Sequence, residues 1–276
     1  MSTDTNAHPH TLQLAGATLA YDVREGHGPT IVALHGLGSS RANDVASEIF
    51  DWSPAIRAER RFVRYDARGH GCSTVTHPGA DDFTGARLAD DLLALLDAVS
   101  PDDPVDALGV SMGVGTLLHA VVRAPERFRR LALVLPPTAW ETRAAQRDLY
   151  LQMAGVVEAS GAAALAAATA SAPPVPLLAH GGWTLPPADI AENAMAAILR
   201  GSATADLPDP EALHRIHHPV LVRPWTGDPA HPVSTAERLA DLLPDASVDT
   251  MTTPAHVHAL TDDVAEFFEA GTSRAG

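Results

Sequence analysis

The stretch VDALGVSMGVGT, residues 105–116, decides the fold. Its first six residues form an apolar run typical of a buried strand, and the residues from Ser111 onward favour a helix. Gly109 and Gly113 flank the serine in the pattern G-x-S-x-G, because a strand-to-helix turn leaves little room for side chains. Such a turn holds a serine Oγ clear of the sheet at a helix N-terminus, where the helix dipole favours a developing negative charge. We therefore predict that Ser111 is a nucleophile rather than an ordinary turn residue.

Similar apolar runs alternate with longer helical patterns along the chain. This alternation is typical of a mostly parallel sheet covered by helices, the α/β class. We predict eight strands, the first two in an antiparallel hairpin and the rest parallel. The segments that carry them are 12–23 (two strands), 30–35, 61–67, 105–110, 130–136, 219–225 and 247–251. We expect helices over 84–100 and from Ser111, Ser234 and Asp262 onward.

The alternation stops between Thr138 and Pro208, where no convincing strand pattern occurs. Two Ala-rich helical stretches flank a Pro-rich segment there, and residues such as Leu149 and Met153 give the first stretch an apolar face. We therefore predict an α/β core in two parts, 1–137 and 209–276. A helical cap over 138–208 is inserted between them.

Charge and composition exclude several classes of partner. The 276 residues carry a formal net charge of −15, which repels phosphate backbones and anionic lipid surfaces, so we expect neither nucleic acid nor a membrane as partner. The polar N-terminus has no secretory signal pattern, and we expect a cytoplasmic protein. A single cysteine, Cys72, excludes an internal disulfide framework. The sequence leaves a homo-oligomer open.

A nucleophilic serine needs a base, and the base needs an acid that orients it. In hydrolases with this turn the chain order is serine, acid and histidine, each at the carboxyl end of a strand. Asp228 follows the predicted strand 219–225 and takes the acid position. His256 and His258 follow the last predicted strand, in an expected loop before the last helix. We prefer His256 as the base because it lies nearer the strand end, and we keep His258 as the alternative.

Other polar residues receive supporting roles. Five histidines near the C-terminus lack a metal-ligand spacing such as H-E-x-x-H, so we expect no metal site and interpret them as solvated or supporting residues. They are His217, His218, His231, His256 and His258. We expect His35 to brace the neighbouring loop, and Asp66 and Arg68 to form a buried pair that fixes their own loop.

Several motifs together resemble a known family. LHGLGSS at 34–40 resembles an oxyanion loop, RYDARGHGCS at 64–73 resembles an Asp-x-Arg-Gly-x-Gly-x-Ser segment, and GVSMGVGT at 109–116 resembles a nucleophile elbow, all of the α/β-hydrolase superfamily. Within it, the chain is most similar to the 3-oxoadipate enol-lactonase, esterase and cofactor-free haloperoxidase-like group. The resemblance implies an α/β-hydrolase fold, the backbone N–H groups of Leu37 and Met112 as oxyanion donors, and no cofactor. One departure is Ala255, which stands before His256 where the family has glycine.

The expected reaction is acyl transfer from a small ester, lactone or related carbonyl substrate to water, through an acyl-serine. The Ala, Leu and Met content of the cap predicts a partly apolar small-molecule substrate. Two alternatives remain open at this point. One is a non-catalytic, ligand-binding relative, which a disabled base would favour. The other is a cofactor-free haloperoxidase or perhydrolase, which uses the same three residues with peroxide in place of water.

Overall fold

In the computed structural model, residues 7–57, 59–170 and 172–270 are described. Within these ranges one sheet contains nine strands, in the order β1-β2-β4-β3-β6-β7-β8-β9, with β5 beside β2. The hairpin β1–β2 is antiparallel, β2 also pairs antiparallel with β4 and β5, and the pairs from β4 through β9 are parallel. The strands are β1 Ala7–Leu14, β2 Ala17–Arg24, β3 His27–Leu34, β4 Arg60–Tyr65, β5 Thr74–Val75, β6 Val105–Val110, β7 Phe128–Val134, β8 Val220–Arg223 and β9 Ala246–Val248.

The predicted α/β class and parallel sheet are confirmed, but the prediction of eight strands is one short. The missing strand is β5, which consists of Thr74 and Val75 and pairs with Ala17 and Thr18 of β2. Two residues are too few to leave a periodic pattern in the sequence.

The described helices fall into two groups, those that cover the two faces of this sheet and those that lie between β7 and β8 along the chain. They are α1 Arg41–Ser47, α2 Gly85–Val99, α3 Met112–Arg123, α4 Arg143–Ser160, α5 Ala162–Thr169, α6 Pro176–Gly181, α7 Met195–Thr204, α8 Pro210–Leu213, α9 Val233–Leu242 and α10 Pro254–Glu269. The core follows the strand period of two. In β3, Val32 and Leu34 pack with α2, α3 and α9, whereas Ile31 and Ala33 pack with α10. Strands buried on both faces read as continuous apolar runs, which explains why the sequence revealed them.

Four helices, α4 to α7, occupy the segment 138–208 between β7 and β8. A small apolar cluster holds three of them together, since Ala154 of α4, Leu165 of α5 and Leu199 of α7 are buried in it, whereas Leu177 and Leu178 of α6 pack on the sheet with α10. This cluster is separate from the two that cover the sheet. Among the described residues, no helix combines the length and the apolar character that a bilayer crossing requires.

The last helix starts earlier than the sequence predicted. We expected it from Asp262, but α10 begins at Pro254, with Thr253 as its N-cap. Threonine at the N-cap followed by proline at the first helical position is a strong helix start, since proline fixes a helical φ and lacks the N–H that would be unpaired there. His256 and His258 therefore lie on the first turns of a helix and not in a loop.

Candidate active site

Ser111 lies at the sharp turn between β6 and α3. Its backbone has a φ of 50° and a ψ of −107°, a conformation that costs on the order of 1–3 kcal/mol for a residue with a side chain. The turn is packed tightly from both sides. A Cβ at Gly109 would lie 2.5 Å from the carbonyl oxygen of Gly113, and one at Gly113 would lie 2.5 Å from that of Leu34. Both flanking glycines are thus required by the close approach of backbone to backbone.

The hydroxyl of Ser111 begins a chain of hydrogen bonds. Its Oγ is 2.7 Å from His231 Nε2, and His231 Nδ1 is 2.7 Å from Asp228 Oδ2. Two further donors hold the Asp228 carboxylate, because Trp225 Nε1–H donates to Oδ2 and the Ala230 backbone N–H donates to Oδ1, each at 2.9 Å. The acid is thus fixed on both oxygens, and it in turn fixes the imidazole.

The protonation states follow from these contacts. Burial alone raises the pKa of Asp228, but the hydrogen bond and charge of His231, together with the Trp225 and Ala230 donors, outweigh burial and hold the pKa below its usual value. An ionised carboxylate only accepts hydrogen bonds, so His231 Nδ1 carries a proton and donates it. In the neutral imidazole, Nε2 is then free to accept from the Ser111 hydroxyl. This is the arrangement that a general base needs.

The predicted base positions, His256 and His258, lie elsewhere. His256 is exposed on the first turn of α10, where its Nδ1 accepts from the Thr252 backbone N–H at 3.2 Å. His258 is also exposed and packs on Trp183, with ring centroids 4.6 Å apart. The structure therefore brings Ser111 and Asp228 together through His231, and the preference for His256 or His258 is corrected. Their misplacement follows from the early start of α10.

The sequence contains a signal for His231, although the search for a base after the last predicted strand does not use it. In the stretch Asp228-Pro229-Ala230-His231, the His231 backbone N–H donates to the Asp228 carbonyl at 3.1 Å, which closes a turn. Such a turn brings its first and fourth residues together, and proline at its second position favours it. Acid and imidazole therefore come from one loop after β8, which corrects the interpretation of His231 as a solvated or supporting residue.

The expected oxyanion donors lie beside the serine. Leu37 and Met112 both line the cavity that contains Ser111. Among the backbone hydrogen bonds of the described residues outside regular helices and strands, none is donated by either residue. Their role as oxyanion donors stays a prediction.

His35 fixes the loop that carries Leu37. The Ala67 backbone N–H donates to His35 Nε2 at 2.9 Å, so Nδ1 carries the proton and donates to the Gly36 carbonyl at 2.8 Å. Burial lowers the pKa of His35, which keeps the ring in this neutral state. These contacts give His35 the bracing position that we expected.

Asp66 and Arg68 are both buried, but they do not pair with each other. Arg68 forms a bidentate ion pair with Asp91 of α2, with both nitrogen–oxygen distances 2.6 Å. Asp66 instead accepts from the backbone N–H groups of Arg41 and Cys72 and from the Arg41 guanidinium. Each residue thus ties its loop to a different element, which corrects the expected Asp66–Arg68 pair.

Comparison with known proteins identifies the fold family of the chain. The family model described as "alpha/beta hydrolase fold" matches residues 29–259, which is most of the chain. The chain belongs to the α/β-hydrolase fold family. This membership confirms the resemblance seen in the motifs, and it supports a hydrolase.

This α/β-hydrolase is similar to one solved structure and to two curated proteins, among others. A solved structure of a hydrolase from Pseudomonas aeruginosa PA01 is 28% identical, with a TM-score of 0.74 over 94% of this chain and 98% of that chain. The 3-oxoadipate enol-lactonase 1 of Acinetobacter baylyi is 30% identical over 158 residues, 56% of this chain and 53% of that protein. The protein named "Probable oxidoreductase EphD" of Mycobacterium tuberculosis is 39% identical over 87 residues, 31% of this chain and 14% of that protein. The chain thus spans 53% or less of the length of these two curated relatives.

Two cavities of the α/β-hydrolase meet at Ser111, and Leu37 lines both. The first, here called the His231 cavity, also contains Asp44, Asp228 and His231 and has a volume of about 180 Å³. The second, the Arg143 cavity, is lined on its polar side by Thr138, Arg143 and Tyr150, among others, and has a volume of about 50 Å³. Ser111 therefore lies between two small cavities.

The histidines of the α/β-hydrolase do not gather into a metal site. Within the described ranges, no group of three or more histidine, cysteine, aspartate or glutamate side chains is placed to hold a metal ion. The His231 imidazole has both ring nitrogens engaged, one by Ser111 and one by Asp228. Neither ring nitrogen of His231 is therefore left free to bind a metal ion.

Proposed function

We propose that this α/β-hydrolase cleaves a small ester or lactone through an acyl-serine, with Ser111 as nucleophile, His231 as base and Asp228 as the acid that orients it. The observation that carries the proposal is the unbroken hydrogen-bond chain from Ser111 Oγ through His231 to Asp228. The strained turn at Ser111 supports it, because it holds Oγ at the start of α3, where two cavities meet.

In the first half of the reaction, Ser111 Oγ attacks the carbonyl carbon while its proton passes to His231 Nε2. The carbonyl oxygen becomes an oxyanion, which the backbone N–H groups of Leu37 and Met112 stabilise. When the tetrahedral intermediate collapses, the bond to the leaving oxygen breaks and His231 gives that oxygen the proton. An ester thereby releases its alcohol, whereas a lactone opens and keeps its hydroxyl or enol on the acyl group.

In the second half, water takes the place of the nucleophile. His231 Nε2 removes a proton from water as its oxygen attacks the acyl-serine, and the same proton returns to Ser111 Oγ when the acid leaves. Asp228 stays ionised throughout and stabilises the imidazolium that forms twice in each cycle. The lactonase relative supports an ester or lactone as the substrate class.

Intact mass spectrometry after incubation with a fluorophosphonate tests the nucleophile. The probe reacts with activated serines by losing fluoride and forming a phosphorus–oxygen bond. We expect one adduct on the native chain and none on Ser111→Ala. Ser234→Ala is the matched control, because Ser234 is exposed on α9 and lines neither cavity. An adduct that survives in Ser111→Ala, or its absence from the folded native chain, would contradict the proposal.

A further inference from the structure

The His231 cavity contains a second carboxyl group besides Asp228. Asp44 of α1 is 7% exposed, and it lines this cavity together with Ser111 and His231. Carboxyl groups are rarely buried unless a cation or several hydrogen bonds compensate for the lost water. The partners of Asp44 therefore indicate whether its position is purely structural.

Among the described residues, the side chain of Asp44 has one hydrogen-bond partner. Ser39 Oγ–H donates to Asp44 Oδ1 at 2.6 Å, and no described residue hydrogen-bonds to Oδ2. In the part of the chain that the structure describes, no arginine, lysine or histidine forms an ion pair with it. The positive charge of Arg64 lowers the pKa of Asp44, but the Arg64 guanidinium is itself bound to Asp22. Its Nε and Nη2 atoms donate to the two carboxylate oxygens of Asp22, at 3.2 and 3.1 Å. Burial raises the pKa of Asp44 to about 7, although Ser39 and Arg64 oppose that rise.

The basic side chain on the wall of this cavity, His231, is bound to Ser111 and Asp228 and not to Asp44. The other acid of the cavity, Asp228, is held by His231, Trp225 and Ala230. Most of its wall is apolar, formed by Phe50, Val110, Leu135, Val175, Leu185 and Trp225, among others. The whole chain carries a formal net charge of −15, which favours the entry of cations over anions. A positively charged group that enters this apolar space therefore meets one carboxyl group without an ion-pair partner.

We propose that Asp44 binds an ammonium group of the substrate, so that the esters or lactones cleaved at Ser111 carry a cationic nitrogen. This inference rests on the proposed function, since it names the substrate class of the same site. A buried carboxyl group that pairs with a ligand cation recovers part of its desolvation cost on binding. Asp44 thus determines specificity through charge, while the apolar wall contacts the carbon skeleton of the ligand.

Binding to the Ser111→Ala variant tests the inference without requiring turnover. Calorimetric titration compares two ammonium esters with their uncharged carbon isosteres, since the nitrogen could lie on either side of the carbonyl. The pairs are acetylcholine with 3,3-dimethylbutyl acetate, and methyl 4-(trimethylammonio)butanoate with methyl 5,5-dimethylhexanoate. The quaternary nitrogen keeps its charge at every pH. In at least one pair we expect the cation to bind about tenfold more tightly than its isostere.

Asp44→Asn in the same background should abolish this preference and leave the affinity for the isostere unchanged. Glu237→Gln is the matched control, because it removes one negative charge at an exposed position of α9 and should keep the preference. If Asp44→Asn does not fold, Asp44→Ser serves in its place. Equal binding of cation and isostere in both pairs, or a preference that survives the loss of Asp44, would overturn the inference. Since the readout is binding, a failure of fluorophosphonate labelling does not affect it.

Discussion

Ser111 is held in its unusual backbone conformation by what packs around it. The Ser111 backbone N–H donates to the Val134 carbonyl of β7 at 3.0 Å, and Gly36 on the neighbouring loop would place a Cβ 3.4 Å from that of Ser111. The strained residue is thus enclosed by backbone from β6, β7 and the loop after β3. Strain of this kind persists only where the surroundings fix it.

At this scale, Gly113→Ala should destabilise the fold. Its Cβ would lie 2.5 Å from the Leu34 carbonyl oxygen, and backbone cannot move aside as the end of a flexible side chain can. We expect the free energy of unfolding to fall by about 3 kcal/mol. Gly115→Ala, two residues on in α3, is the matched control, because its nearest contact is Leu207 Cδ2 at an ordinary 3.7 Å.

Denaturant unfolding measures both variants. For Gly115→Ala the free energy of unfolding should be about 0.5–1 kcal/mol higher than that of the native chain, since alanine is the better helix former. Equal stability of the two variants would show that the elbow is not packed as described.

At the scale of elements, patterns within a single strand or helix were predictable. The run 105–110 and the helix over 84–100 match β6 and α2, because their apolar residues face a core and repeat with the period of the element. Ser111 and Asp228 were placed correctly at strand ends for the same reason. The two-residue strand β5 has no period and was missed.

The wrong predictions about the site lie at the boundaries between elements. The start of α10 at Pro254 removed His256 and His258 from the expected loop, and a turn of four residues brought His231 back onto Asp228. Both effects are set by local capping and turn geometry, which hydrophobic periodicity does not report. The pairing of Arg68 with Asp91 and of Asp66 with Arg41 was also missed, because it depends on how separate elements pack.

At the scale of the whole molecule, buried histidines make stability depend on pH. Burial lowers the pKa of His35, and it lowers that of His70 to about 3. In the unfolded chain histidine titrates near 6.5, so below that pH the unfolded state binds protons that the folded state does not. The contribution of these two neutral histidines to the free energy of unfolding is complete above about pH 6.5, and it is lost as the pH falls toward about 3.

We therefore expect His70→Gln to flatten the fall in unfolding free energy between about pH 6.5 and pH 4, although its stability at neutral pH is lower. His217→Gln, at an exposed position, should leave the slope unchanged. Asp44 titrates in the opposite sense, because burial raises its pKa, but it contributes equally to the native chain and both variants. Denaturant titrations at several pH values measure the slope, and a His70→Gln slope identical to that of the native chain would refute the prediction.

The most direct test of the central claim is the turnover of an activated ester, such as 4-nitrophenyl acetate, by His231→Ala and His256→Ala. The hydrogen-bond chain from Ser111 to Asp228 runs through His231, so its loss should lower kcat at least about a thousandfold. His256 is exposed on α10, and its loss should leave kcat within about twofold of the native value. A large loss in His256→Ala, with native turnover in His231→Ala, would contradict the account.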